Sequence, residues 1–189
     1  MAPPAFRRRR KTAMRYHKQQ HEPDATGPVA CARQFPHSAL RTWIRTGTRT
    51  MLAHPHERFS SELTLTPRAV ADYASAVGDS NPLHHDPAFA ATTRYGRLIA
   101  SGPHTSALLL ALTASHFSAK GSVVGLEFWV RFRRPVFADE TIRLEWLVVK
   151  VTPNAKLGGD VVDLRGRVLG ADGKTALGAK GRVLVTARL

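Results

Sequence analysis

Residues Ala107-Leu108-Leu109-Leu110-Ala111-Leu112 are apolar on every side of a helix, and from Ser122 onward the hydrophobic period changes to two. This switch constrains the fold more than any other feature of the chain. A helix that is hydrophobic all round has to be enclosed, and strands that alternate in polarity offer one apolar face to enclose it. The alternating sets are Phe128, Val130 and Phe132 against Glu127, Trp129, Arg131 and Arg133; Ile142, Leu144, Trp146 and Val148 against Arg143, Glu145 and Leu147; and Val162, Leu164 and Val168 against Asp163, Arg165 and Arg167. Asp172-Gly173 supplies a hairpin turn between the last two strands. The pattern predicts an α+β domain in which an antiparallel β-sheet is wrapped around a long central helix.

Punctuation along the chain places the other elements. Phe59 to Leu65 alternates loosely and reads as an edge strand. Thr66-Pro67 provides an N-cap and an N1 proline for a helix through Val77, which Gly78 ends. Asp86-Pro87 repeats the device for a short helix, Ala88 to Thr93, and Ser101 caps the central helix at Gly102-Pro103. Residues 78–86 are therefore pinned between two helix ends.

That pinned loop carries the chemistry. In a continuous helix, residues five apart sit about 140° around the axis from each other and cannot converge. Pro82 prevents the helix by fixing its own φ and pushing Asn81 toward extended geometry, so His84 can fold back toward Asp79. A histidine that titrates near working pH beside a carboxylate is general acid–base apparatus. By spacing alone, the plainer reading is that Asp79 caps the turn and His84 is a loop histidine. Asn81 either holds the turn, the preferred reading, or bonds a substrate carbonyl, and His85 is expected to face solvent.

The run from Asn81 through Leu83-His84-His85-Asp86-Pro87 to Tyr95-Gly96-Arg97 and Ala100-Ser101-Gly102, followed by Phe132-Arg133-Arg134-Pro135-Val136-Phe137-Ala138-Asp139-Glu140, closely resembles the signature of the MaoC-like dehydratases and (R)-specific enoyl-CoA hydratases. The resemblance covers Phe59 to the C-terminus and nothing before it. It implies the hot-dog fold, an acyl thioester of coenzyme A or acyl carrier protein as substrate, and reversible hydration of a trans-2-enoyl thioester to a 3-hydroxyacyl thioester, (R)-specific in outcome. It also implies Asp79 and His84 as the catalytic pair gripping the water, with Gly102 offering its backbone N–H to the thioester oxygen. Asn81, Ser101 and His104 are the candidate substrate-binding residues. No cofactor is expected, since coenzyme A is part of the substrate, and pairing into a homodimer or higher homo-oligomer is expected. The chain departs from the better-studied hydratases, which carry His-Gly-Met where this sequence has Ser101-Gly102-Pro103. Pro103 removes a second possible donor, so an oxyanion hole rests more heavily on Gly102. A hot-dog thioesterase is the nearest rival, yet residues 103–117 contain no Asp or Glu to serve as its helix carboxylate. A non-catalytic acyl-thioester binding subunit is the other alternative.

Composition sets outer bounds. The 189 residues suffice for one domain, expected at 51–189, with 43% hydrophobic content. No apolar run approaches the length of a bilayer span, and one cysteine, Cys31, forms no internal disulfide, which points to the cytoplasm. The net charge of +14 would suggest nucleic acid. It is concentrated, however: residues 1–50 hold 11 basic and 2 acidic residues, whereas 51–189 hold the other 17 and 12, a net +5. Nucleic acid is accordingly not the expected partner. The first 50 residues, with Arg7-Arg8-Arg9-Arg10-Lys11, show no sustained period and read as a disordered basic tail. It is a basic arm, a targeting segment, or, in the preferred reading, sequence upstream of a true start at Met51. His84, His85, Asp86, His104 and His116 fit no compact metal-ligand spacing, so no metal is expected.

Overall fold

The computed structural model describes residues 51–187, and the expectations for the basic tail and for Cys31 lie outside the described residues. In chain order the elements are β1 (Arg58–Leu65), α1 (Pro67–Ala76), a 3₁₀ turn (Pro82–His84), α2 (Pro87–Thr92), α3 (Gly102–Ser118), β2 (Ser122–Phe132), β3 (Glu140–Asn154), β4 (Gly159–Leu169) and β5 (Thr175–Thr186). The strands form one sheet in the order β1-β3-β4-β5-β2, antiparallel throughout. This is the α+β hot-dog architecture, with α3 held against the inner face.

The helix starts follow from capping chemistry. Thr66, Asp86 and Ser101 each accept a backbone N–H of the following turn, from Ala69, from Ala88 and Phe89, and from His104. A proline stands within the first two positions of α1, α2 and α3, where its missing N–H has no intrahelical acceptor to lose. Both short helices end one residue before the sequence boundaries, with Val77 and Thr93 as C-caps.

The core lies between α3 and the inner sheet face. Ile142, Leu144, Trp146 and Val148 on β3 and Val162, Leu164 and Val168 on β4 are buried, as the alternation predicts. Trp146 Nε1 donates to the Leu109 carbonyl of α3 at 2.8 Å, a polar tie between sheet and helix. A Cβ added at Gly166 would come within 2.5 Å of the Trp146 ring, so glycine interrupts the β4 alternation because the indole occupies that space.

Two expectations are corrected. Phe132 lies on the inner face of β2, its ring over Gly102 at the start of α3, yet it is 53% exposed rather than enclosed, because it borders an open cleft. On α3, Leu109, Thr113 and Phe117 are buried while Ala111 and Ala114 are exposed. One antiparallel sheet covers one side of a helix, so among the described residues α3 is enclosed by the sheet, with α1 against its start, and its other flank is exposed.

Candidate active site

Asp79 is positioned by the way α1 stops. Gly78, at φ +74°, takes the left-handed conformation that lets the chain turn. Its N–H donates to the Ser75 carbonyl at 3.1 Å and that of Asp79 to the Ala74 carbonyl at 2.8 Å, the two bonds of a Schellman C-cap. Asp79 therefore leaves a rigid helix end with its carboxylate free to face the next turn. There Asp79 Oδ1 accepts from Asn81 N at 3.1 Å, and Asn81 Oδ1 accepts from Leu83 N at 3.1 Å. Asn81 thus spends its side-chain oxygen on the turn.

The 3₁₀ turn carries His84 inward. Its side chain is 7% exposed against 31% for Asp79, and His84 Nε2 stands 3.4 Å from Asp79 Oδ2. The other ring nitrogen, Nδ1, lies 2.8 Å from the Ile99 carbonyl oxygen. A carbonyl only accepts, so Nδ1 carries a hydrogen and donates it, and in the neutral ring Nε2 presents a lone pair toward Asp79. Ile99 is held in turn: its N–H donates to the Leu83 carbonyl, and it bridges to Phe137 beyond β2. The expectation that His85 faces solvent is corrected. It is half-buried and its Nε2 donates to the Asp79 carbonyl oxygen at 2.6 Å, bracing the loop from behind.

Gly102 is the first residue of α3. Thr105 N donates to the Ser101 carbonyl, His104 N to Ser101 Oγ, and Pro103 has no N–H, leaving Gly102 N–H as the first-turn donor without an acceptor among the described residues. Gly102 lines a cleft of about 560 Å³ with Ile99, Ala100, Thr105, Phe132 and Leu177, rimmed by Arg94, Arg133 and Arg134. A Cβ at Gly102 would meet the tip of the Phe132 ring at 2.9 Å. Asp79 borders a separate depression with Ser75, Gly78, Pro82 and His85. Ile99 lines the Gly102 cleft, and its carbonyl oxygen holds the His84 ring that faces Asp79.

Ser101 is 2% exposed and serves as the cap. His104 is 6% exposed, stacked on Tyr73 with ring centroids 4.3 Å apart, and its buried Nδ1 has no hydrogen-bond partner. Burial pushes its pKa down, which keeps the ring neutral near pH 7. Among the described residues no group of three or more His, Cys, Asp or Glu is placed to hold a metal. The histidines take separate partners: His84 Asp79, His104 Tyr73 and His116 Glu57. Ile99, Tyr73 and Phe132 were not legible as site residues, since a backbone carbonyl, a stacked ring and a covering ring leave no motif.

The geometry can be set beside known proteins. A family model described as the MaoC like domain matches residues 53–163. The chain belongs to this family. Its relatives include an "(R)-specific enoyl-CoA hydratase" of Aeromonas caviae, 40% identical over 76 residues. That match spans 40% of this chain and 56% of the relative, so the chain covers little more than half the length of that enzyme. A "3-hydroxybutyryl-CoA dehydratase" of Methylorubrum extorquens is 32% identical over 108 residues, 53% of this chain and 68% of the relative. Among solved structures, the "(R)-hydratase from A. caviae involved in PHA biosynthesis" superposes with a TM-score of 0.65 at 26% identity, covering 70% of this MaoC-like chain and 97% of that one. "R-Hydratase PhaJ1 from Pseudomonas aeruginosa" gives the same TM-score and identity over 71% and 83%.

Proposed function

We propose that this MaoC-like protein is a hydro-lyase that adds water reversibly across the 2,3-double bond of a trans-2-enoyl thioester, giving the (R)-3-hydroxyacyl thioester. The observation that carries this reading is the His84 imidazole, its tautomer set by the Ile99 carbonyl, facing the Asp79 carboxylate at 3.4 Å on the family's motif. Two acceptors so close, one a lone pair and one a carboxylate, suit a single water that donates a hydrogen to each. In the hydration direction the water oxygen bonds to C3 as one of the pair takes its proton. The C2–C3 π electrons shift to leave enolate charge on the thioester oxygen, and a proton delivered to C2 restores the thioester.

Gly102 N–H, at the positive end of α3, is the donor for that oxygen. Buried Ser101 caps the helix end that presents this amide, and neutral His104, stacked on Tyr73, packs behind it. Coenzyme A or a carrier protein enters as part of the substrate, and the step requires no other cofactor. No helix among the described residues is long and apolar enough to cross a membrane, and the reading places this work in the cytoplasm.

The edge of β2 that pairs with no strand among the described residues, with Val124, Leu126, Trp129 and Phe132 exposed, suits a second copy of the chain. A homodimer would also bring cover to the exposed flank of α3.

The test is loss of the conjugated enoyl-thioester absorbance when crotonyl-CoA is mixed with the protein. Asp79→Asn should lower kcat by about 10²–10⁴-fold, the range for removing a positioned base. Release of free thiol in place of hydration would favour a thioesterase and sink this reading.

A further inference from the structure

The sheet face turned away from α3 carries a cationic row that the chain leaves uncompensated. One register line crosses all five strands: Arg58 on β1, Leu147 on β3, Arg165 on β4, Lys180 on β5 and Trp129 on β2. None of its three cations has a carboxylate partner among the described residues. In the rows on either side Arg182 pairs with Asp163 at 2.8 Å and Arg167 with Glu145 at 2.7 Å, while Arg131, in line with Arg167, adds a fourth cation with no carboxylate partner among the described residues. Trp129 is 52% exposed, with Lys180 Nζ 5.9 Å from its ring centroid. Between the strands lies a groove of about 620 Å³.

This groove is continuous with the candidate active site. Arg133 lines both the outer groove and the cleft beside Gly102, its Nε leaning over the space above Gly178. Arg94 continues the positive rim on the cleft side, beside Arg134, which pairs with Asp172 at 3.3 Å. The basic track thus begins where an acyl thioester would lie and runs over the end of β2 onto the outer sheet.

We propose that the track docks an acidic carrier protein, which presents its acyl group to the Gly102 cleft on a phosphopantetheine arm. Isolated strand charges on a solvated face need no partner, but three features here ask for one: a half-exposed tryptophan, four cations on one face without a carboxylate partner among the described residues, and continuity with the cleft. Extent identifies the occupant. Five strands span about 19 Å at the usual spacing, more than the phosphates of one coenzyme A nucleotide can engage together with the cleft rim. A single-stranded nucleic acid would call for successive stacking platforms, whereas this face offers one aromatic ring. An acidic helix laid along the row, with one apolar residue seated against Trp129, satisfies both the span and the single ring. What the arm carries rests on the hydratase reading; the docking surface does not.

The experiment compares the full chain with Arg165→Glu/Lys180→Glu and the milder Arg165→Gln/Lys180→Gln, using crotonyl-loaded type II acyl carrier protein and crotonyl-CoA as parallel substrates. Carrier binding, read by anisotropy of a labelled carrier, should weaken about tenfold or more on charge reversal and fall with added salt, as expected of a charge-steered interface. The kcat/KM for the carrier-bound substrate should fall alongside while that for crotonyl-CoA holds. Unchanged carrier binding in both variants would overturn the proposal. So would a parallel loss with crotonyl-CoA in the glutamine variant, or displacement of the carrier by a 12-nucleotide single-stranded oligonucleotide that binds more tightly. Charge-dependent carrier binding with neither thioester hydrated would sink the hydratase reading alone and leave the docking surface standing.

Discussion

At the scale of single residues, the site depends on placing groups whose identity is ordinary. His84 becomes a directed acceptor because a carbonyl 15 residues away, that of Ile99, claims its other nitrogen. Gly102 shows the same dependence on surroundings. In Gly102→Ala the new Cβ would meet the end of the Phe132 side chain, which is exposed and can swing aside. The fold should therefore lose no more than about 1 kcal/mol, measured by thermal unfolding. The methyl and the displaced ring would obstruct the approach to the Gly102 amide, and kcat/KM for the enoyl thioester should fall on the order of a hundredfold, as for loss of an oxyanion donor. Equal losses of stability and activity would show that Gly102 serves packing alone. Pro82 forbids a helix between Asp79 and His84 and so lets them meet, but it was the surrounding run's resemblance to the family signature that marked them as a pair. The role of His85 was not readable, since its partner is the main chain of Asp79, and a backbone acceptor leaves no trace in residue types.

At the scale of elements, β1 is locked to the far end of α3 by Glu57. Its Oε1 accepts from His116 Nε2 at 2.8 Å and Lys120 Nζ at 2.5 Å, its Oε2 accepts from His54 N at 3.2 Å, and His116 stacks on Phe59 at 3.9 Å. Burial pushes the Glu57 carboxyl up, but the hydrogen bonds from Lys120, the His54 amide and His116 together hold it below its usual value. A carboxyl whose folded pKa is depressed stabilises the native state above its unfolded pKa, near 4.3. That contribution is lost as pH falls through the lower folded value. Glu57→Gln should cost about 1–3 kcal/mol at pH 7, and the gap between variant and wild type should close on acidification, followed by urea unfolding across a pH series. A gap independent of pH would show that packing, rather than charge, makes the tie. None of this was visible in advance: Glu57 and His116 are 59 positions apart and meet only once the strand lies beside the helix.

At the scale of the whole molecule, the exposed β2 edge and the half-covered α3 belong together. If two copies pair along β2, the wild type should sediment at twice the chain mass, and Val124→Lys/Leu126→Lys should sediment as a monomer because edge lysines disfavour strand pairing. A wild-type monomer at micromolar concentration would refute the dimer. The architecture itself was legible from residue order. Capping residues, N1 prolines and the change of period act through neighbours in sequence, so Thr66, Asp86 and Ser101 mark their helices without any tertiary context. Contacts across the sheet did not follow from local rules. How Phe132 comes to lie half-exposed over Gly102, which carbonyl sets the His84 tautomer, and how Arg133 comes to border both groove and cleft depend on register between segments distant in the chain. Local sterics and hydrogen-bonding capacity therefore determined the elements and their order. Only the packed sheet, by bringing Ile99 against His84 and aligning five strands into one cationic row, decided where charge and hydrogen-bond donors would face a ligand.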